Sequence, residues 1–405
     1  MSKGRSFAWI AWMVVSLFYA YQYVLRVIPN ILLEDLIGQF HVSASAFGQF
    51  SGVYYLGYSL MHLPVGLMLD RYGPRKVMTV CILLSSVGLL PLILAKSWIY
   101  PVLGRLLVGM GSSAAILGVF KMVRMAFHEK KFSRMLSFSV MIGLLGAIYG
   151  GGPVNYLKEA VGYHAVIKML AGLGAILAFV TYWLVPSMKQ PHQGTVLSDI
   201  KEVFGNRKVL SCCLFAGLMV GPMEGFADVW GAAFLKKVYG MDGSIAASLP
   251  SLIFIGMCFG SPLLSLIAEK RNNYLATITG AGLLMAVSFF ALLLFPFQAE
   301  VLSAAFLWIG VCCAYQILAI YLVSTYVREE VAGLTTAIAN MIIMIFGYVF
   351  HATIGGIVNA LGGVNAPQAL SKGVLVIPVA LCLGTAGFFL LSQKKKKRAK
   401  VPRDA

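Results

Sequence analysis

Apolar residues fall in long blocks separated by short polar breaks. A block of about 18 or more mostly apolar residues is long enough to cross the hydrocarbon of a bilayer as a helix. Read this way, the first half of the chain predicts helices at Phe7 to Leu33, Ala44 to Leu69, Val77 to Leu94, Pro101 to Phe127, Met135 to Tyr156 and Ala165 to Val185. The second half predicts them at Val209 to Phe234, Ser244 to Ile267, Tyr274 to Phe295, Val301 to Val327, Val331 to Leu361 and Gly373 to Leu391. The longest polar interruption, Pro186 to Lys208, mixes Pro, His, Gln, Gly and charges and reads as a linker. The expected organisation is therefore residues 1–187, a linker at 188–207, a second helical set at 208–392 and a basic tail at 393–405. The fold class expected is an all-α polytopic membrane protein, with both termini on one side of the bilayer.

Composition agrees with the pattern. Of 405 residues, 59% are hydrophobic and 12% charged, too little charge for the surface of a soluble protein of this size. The net charge of +17 would suggest a nucleic-acid partner if the bases clustered on a soluble surface. Instead most lie in the N-terminus, the even-numbered turns, the linker and the tail. These form one face, which the positive-inside rule makes cytoplasmic, so no nucleic-acid partner is expected. The run Lys394 to Arg398 reads as a solvated stop signal that can touch anionic lipid. No cleavable leader is expected, because the first apolar run is too long and leads into a second helix. The seven cysteines all lie in apolar runs without Cys-x-x-Cys spacing and read as small hydrophobes.

The two halves echo each other at an offset near 200 residues. Pro64 and Asp70-Arg71 match Pro262 and Glu269-Lys270, and Gly152 to Asn155 matches Gly356 to Asn359. Glu34, eight residues after Arg26, matches Lys236, eight residues after Asp228. Such an echo predicts two six-helix bundles related by an axis along the membrane normal.

Between the second and third helices stands Gly66-Leu-Met-Leu-Asp70-Arg71-Tyr-Gly73-Pro-Arg75-Lys76. Four charges in a tight turn cannot enter hydrocarbon, and Gly73-Pro74 supplies the reversal. This stretch resembles the signature loop of the major facilitator superfamily (MFS). Arg105-x-x-x-Gly109-x-Gly111 resembles that family's helix 4 motif. Gly146-x-x-x-Gly150-Gly-Gly-Pro153 loosely resembles a helix 5 motif associated with antiporters, but its plainer reading is small residues that let helices pack closely. The resemblance covers the whole chain. It implies twelve helices, alternating access, and a gating loop carried by Gly66, Asp70, Arg71, Gly73 and Arg75. Tyr23-Val-Leu-Arg26-Val-Ile-Pro29 and Phe226-Ala-Asp228-Val-Trp230-Gly231 resemble a bacterial group that includes phagosomal amino-acid and nucleoside transporters. His62 and His351 replace that group's glutamines, and Asp228 replaces its glutamate.

Charges inside the bilayer mark candidate chemistry, since each costs about 2.5–3.5 kcal/mol at a helix centre on the insertion scale. Glu224 and Asp228 are four apart on one helix and share a face. The repeat makes Asp228 the counterpart of Arg26. An acid facing a base across a transport path can act as a switch that opens on protonation, so Asp228 and Glu224 are the expected proton-coupling residues; a purely structural ion pair is the alternative. Gly221, Pro222 and Gly225 predict a broken helix beside Glu224. Arg26, Tyr19, Tyr23, Tyr55, Lys121 and Asn340 are the expected substrate-binding residues, with Arg26 suited to an anionic group. The tyrosines can equally be interface packing, Lys121 can snorkel to the inner face, and His62 and His351 can be hydrogen-bonded packing residues. No metal cluster, cofactor motif, Walker motif or nucleophile–base constellation is present, so an enzyme is not expected. The function expected is proton-coupled uptake of a small polar organic solute: an amino acid, nucleoside or organic anion. The alternatives are export of a siderophore or drug by proton antiport and, in another class, a non-transporting membrane receptor. The expected setting is the bacterial inner membrane, with solute, protons and lipid as partners and a functional monomer.

Overall fold

The computed structural model describes residues 2–127, 132–187 and 196–400. The connection at 128–131, linker positions 188–195 and the basic side chains of the tail lie outside the described residues. Among the described residues there are helices and no strand. Among the described residues, eleven helices are long and apolar enough to cross a membrane: α1 Phe7–Val27, α3 Pro74–Leu94, α4 Ile99–Ala126, α5 Arg134–Val161, α6 Tyr163–Leu184, α7 Arg207–Val238, α8 Gly243–Lys270, α9 Tyr274–Leu294, α10 Ala299–Ser324, α11 Val331–Ala360 and α12 Pro367–Gln393. The twelfth, α2 (Ala44–Tyr72), is equally long but carries Ser51, Tyr54, Tyr55, Tyr58, Ser59 and His62 buried within it. Its polarity follows from its place between the two halves, against α4 and α11. Large apolar residues such as Leu94, Phe179, Trp183 and Phe259 point outward, as on a lipid-facing surface.

α1 to α6 pack among themselves, as do α7 to α12, and the two sets meet along α2–α11, α5–α8 and α1–α7. Glycines set these close approaches. A Cβ at Gly146 would run into the Ala20 carbonyl of α1, and one at Gly109 into the backbone of Tyr54 on α2. The glycine-rich motifs of α4 and α5 therefore serve packing. At the α2–α3 turn Gly73 adopts φ 81° and Pro74 opens the next helix, the reversal the sequence predicts.

The first helix does not run on to Leu33 as the apolar pattern suggests. It ends at Val27, and a separate helix, Pro29–Phe40, follows. Pro29 has no N–H, so the Leu25 carbonyl loses its helical donor. Arg105, buried on α4, replaces it: Nη1 donates to Leu25 O at 2.5 Å and Nη2 to Arg26 O at 2.8 Å. A cation at a helix C-terminus also complements the helix dipole. Comparable breaks interrupt α4 at Ser113 and α10 at Ala314, equivalent points of the two halves. The linker contains a helix, Val196–Gly205, held to the α10–α11 connection by Arg328, which bonds Glu202 at 2.6 Å.

Candidate functional site

Between the two halves lies a cavity of about 820 Å³. Its mouth is formed by Asp70, Arg124, Asp199 and Gly333, at the ends of helices on the basic face. Its walls carry Tyr19, Tyr23, Tyr58 and His62 from the first half, and Met257, Gln316, Asn340 and Met344 from the second. Its blind end is Arg26 with Glu224.

The acids sit on a π-helical segment, Gly221–Trp230, within α7. Pro222 cannot donate into the preceding turn, and Gly231 N–H reaches Phe226 O, five residues back. The break expected from Gly221, Pro222 and Gly225 thus takes the form of a widened turn that aims Glu224 and Asp228 at α1. Arg26 Nε donates to Asp228 Oδ2 at 2.6 Å, and Arg26 Nη2 pairs with Glu224 Oε2. Tyr55 Oη lies 2.6 Å from Glu224 Oε2 and also bonds Asp228 Oδ2. All three charged side chains are buried. Glu224 Oε1 and Asp228 Oδ1 have no hydrogen-bond partner. The guanidinium lies over the rings of Tyr23 and Tyr55, 5.1 and 5.5 Å from their centroids.

Beyond the blind end the path is closed. Phe47, Phe50 and Trp230 are fully buried there. Asn30 Oδ1 accepts from Ala232 N at 3.2 Å. At the rim Lys236 Nζ meets Glu34 Oε2 at 2.8 Å, with Lys237 3.5 Å from the same carboxylate. Arg26 with Asp228, Asn30 with Ala232 and Glu34 with Lys236 are three rungs at one sequence offset of 202. Residues that the repeat makes equivalent touch one another, so these rungs lie on the axis relating the halves. Burial opposes ionisation of Glu34, but the Lys236 hydrogen bond and the charges of Lys236 and Lys237 outweigh it and hold the carboxyl below its ordinary range.

Of the expected substrate-binding residues, Arg26, Tyr19, Tyr23, Lys121 and Asn340 line the cavity, whereas Tyr55 stands behind the wall, bonded to the acids. Lys121 Nζ pairs with Asp70 Oδ1 at 2.7 Å. The signature turn is therefore bound within its own half: Arg75 Nε donates to Val185 O at 2.7 Å and Arg71 lies over Tyr72. Gly66 lies on the cavity wall. His62 lines the cavity with its ring beside Tyr58, while His351 is fully buried against Tyr55 with neither ring nitrogen bonded. Sequence reasoning missed Gln316, a buried amide on the cavity wall. A lone Gln in an apolar helix was the signal for it. It also missed the work of Arg105, which Pro29 and a buried cation together could have suggested.

A cavity between two sets of membrane-length helices, open on one face and sealed on the other by paired charges, is the architecture of a solute carrier. The chain belongs to the Major Facilitator Superfamily, whose family model matches residues 9–351. It is thus a multi-pass membrane transporter with the MFS fold, not an enzyme. An uncharacterized MFS-type transporter of Bacillus subtilis, YdgK, is 23% identical over 354 residues, covering 84% of this chain and 85% of its own. A bacterial homologue of the human lysosomal transporter Spinster, solved inward-facing and unoccupied, superposes with a TM-score of 0.77 at 19% identity, over 97% of this chain and 98% of its own. A mutant of the nucleoside transporter NupG gives a TM-score of 0.79 at 14% identity, over 94% and 99%.

Proposed function

We propose that this protein couples the movement of a small polar organic solute to protons by alternating access. The observation that carries the reading is the blind end of the cavity, where two buried acids and one base meet on the axis between the halves. A carboxyl there can gain a proton, release Arg26 and loosen the contact between α1 and α7. The moving units are residues 1–187 and 208–392, and a monomer contains the whole site. The basic face is cytoplasmic, in a bacterial inner membrane, so the cavity opens inward and Glu34 with Lys236 closes the outside. Rocking of the halves would part that outer pair and bring the signature turn, from Gly66 to Arg75, against the second half.

Uptake is the first reading, since an inward proton gradient drives a solute bound together with a proton. Export by proton exchange is the second, and one observation favours it. Two acids face one base, so a cation and a proton can take turns at one carboxyl. Purified protein in proteoliposomes, given pooled labelled amino acids, nucleosides, small carboxylates and amines with and without a proton gradient, tests both. Gradient-dependent flux that is lost in Asp228→Asn supports the proposal. Flux indifferent to the gradient, or intact in Asp228→Asn, overturns it.

A further inference from the structure

The blind end is short of positive charge. With both carboxyls ionised, Glu224, Asp228 and Arg26 sum to one negative charge on buried side chains, where screening is weak. The hydrogen bonds carry the same message. Tyr55 Oη touches a carboxyl oxygen of each acid, yet a phenol has one proton to give. Shared between two acceptors, that one proton leaves the acids short of donors. In the empty carrier, then, one proton completes the set. An anionic solute group would make the deficit worse, and Arg26 Nε and Nη2 are already committed to the two acids.

We propose that the solute is an organic cation bearing an ammonium group, which takes the place of that proton. This rests on the second transport reading above, proton exchange, and names its substrate class. Glu224 lines the cavity and its Oε1 is buried without a partner, so an ammonium N–H donates there. The carboxyl proton leaves to solvent as the N–H···O bond forms, and charge stays balanced. Tyr19, Tyr23 and Tyr58 put aromatic rings on the adjoining wall, and ring faces attract cations and shelter apolar carbon. Gln316 and Asn340 on the opposite wall offer neutral amides, which carry no charge to repel the ammonium. The charged and titratable groups around the pair are Arg26, Tyr19 and Tyr23 on α1, Tyr54, Tyr55 and Tyr58 on α2, Arg105 on α4, Cys313 and Tyr315 on α10 and His351 against Tyr55. Arg26 and Arg105 are the cations among them, and Arg105 donates to the α1 carbonyls. Because solute and proton compete for one carboxyl, the carrier exchanges them.

The test uses phenethylammonium chloride, which has a primary ammonium and one ring, added to the purified full-length protein in weakly buffered detergent with a pH-sensitive dye. Saturable release of about one proton per protein is expected, with affinity falling up to about tenfold for each unit of pH decrease. Glu224→Gln, checked for folding by gel filtration, should lose the release. 3-Phenylpropionate, the same shape with a carboxylate, should cause none. Absence of release with phenethylammonium, proton uptake with 3-phenylpropionate, or equal release by sodium chloride each overturns the ammonium assignment. If gradient-driven flux of another solute persists in proteoliposomes, only the substrate class has failed; if no such flux appears, the proton-coupled reading fails with it.

Discussion

Replacing Arg26 with leucine removes the only base of the central cluster while leaving both acids in place. The side chains of Arg26, Glu224 and Asp228 are 7%, 0% and 1% exposed, so the screened regime of surface ion pairs, about 0.2–1 kcal/mol, does not apply. Breaking a buried pair from one side costs about 3–5 kcal/mol, because a charge remains buried without compensation. That corresponds to a shift of about 10²- to 4 × 10³-fold in the folding equilibrium. Protonation of the second carboxyl recovers part of the loss, so Arg26→Leu should also become more stable as pH falls. The triple variant Arg26→Leu, Glu224→Gln, Asp228→Asn removes the charges together and should regain most of the stability, but no proton coupling. Thermal unfolding followed by fluorescence-detected gel filtration measures the first effect, and proteoliposome flux the second. If Arg26→Leu is as stable as the parent, or the triple variant no more stable than Arg26→Leu, the argument from uncompensated buried charge is wrong.

Other outcomes follow from features away from that cluster. Arg105→Leu strips the donors from two backbone carbonyls at the end of α1 and should destabilise the protein by about 1.5–3 kcal/mol per lost charged bond; Arg105→Lys restores only part of this, since a lysine cannot fork. Gly146→Ala should cost about 1–3 kcal/mol in thermal unfolding by forcing α5 off α1, whereas Gly172→Ala, with open space at its Cβ, should be neutral or slightly stabilising. The outer pair is 42% and 50% exposed, so Glu34→Gln should shift the outward-to-inward ratio by at most about fivefold, read from distances between spin labels at the outer ends of α1 and α7. Glu34 is held below its ordinary range, so the contribution of this pair is full above that range and lost as pH falls through the lowered value. In a Glu224→Gln, Asp228→Asn background, where the central carboxyls cannot titrate, the label distances should therefore not change from about pH 7 to about pH 5, and opening within that interval would contradict the assignment.

Much of the fold was legible because lipid leaves the chain few choices. A block of apolar residues must be a helix, and a turn of four charges must be at a surface. The pairing of Arg26 with Asp228 was legible too, through the repeat; the repeat also matched Glu34 with Lys236, but that these two meet is seen only in the structure. Helix interruptions were less readable. Pro29 could have kinked the first helix or ended it, and only the distant Arg105 decides, by satisfying the freed carbonyls. The role of Tyr55 was hidden for a different reason. It shares a helix face with Tyr58, yet one ring reaches the acids and the other the cavity, a distinction set by how α2 leans against α11. The partner of Asp70, Lys121, lies 51 residues away on another helix, beyond the reach of local pattern.

The three rungs at a common offset have a consequence for how such a chain could arise. On a two-fold axis every residue meets its own image. Two identical halves would set arginine against arginine in the buried centre and glutamate against glutamate at the rim. Neither arrangement could be sealed. The opposite signs found at positions 26 and 228, and again at 34 and 236, are possible only once the halves have become different from each other. The contacts that close this carrier are thus places where a duplicated sequence would be obliged to diverge.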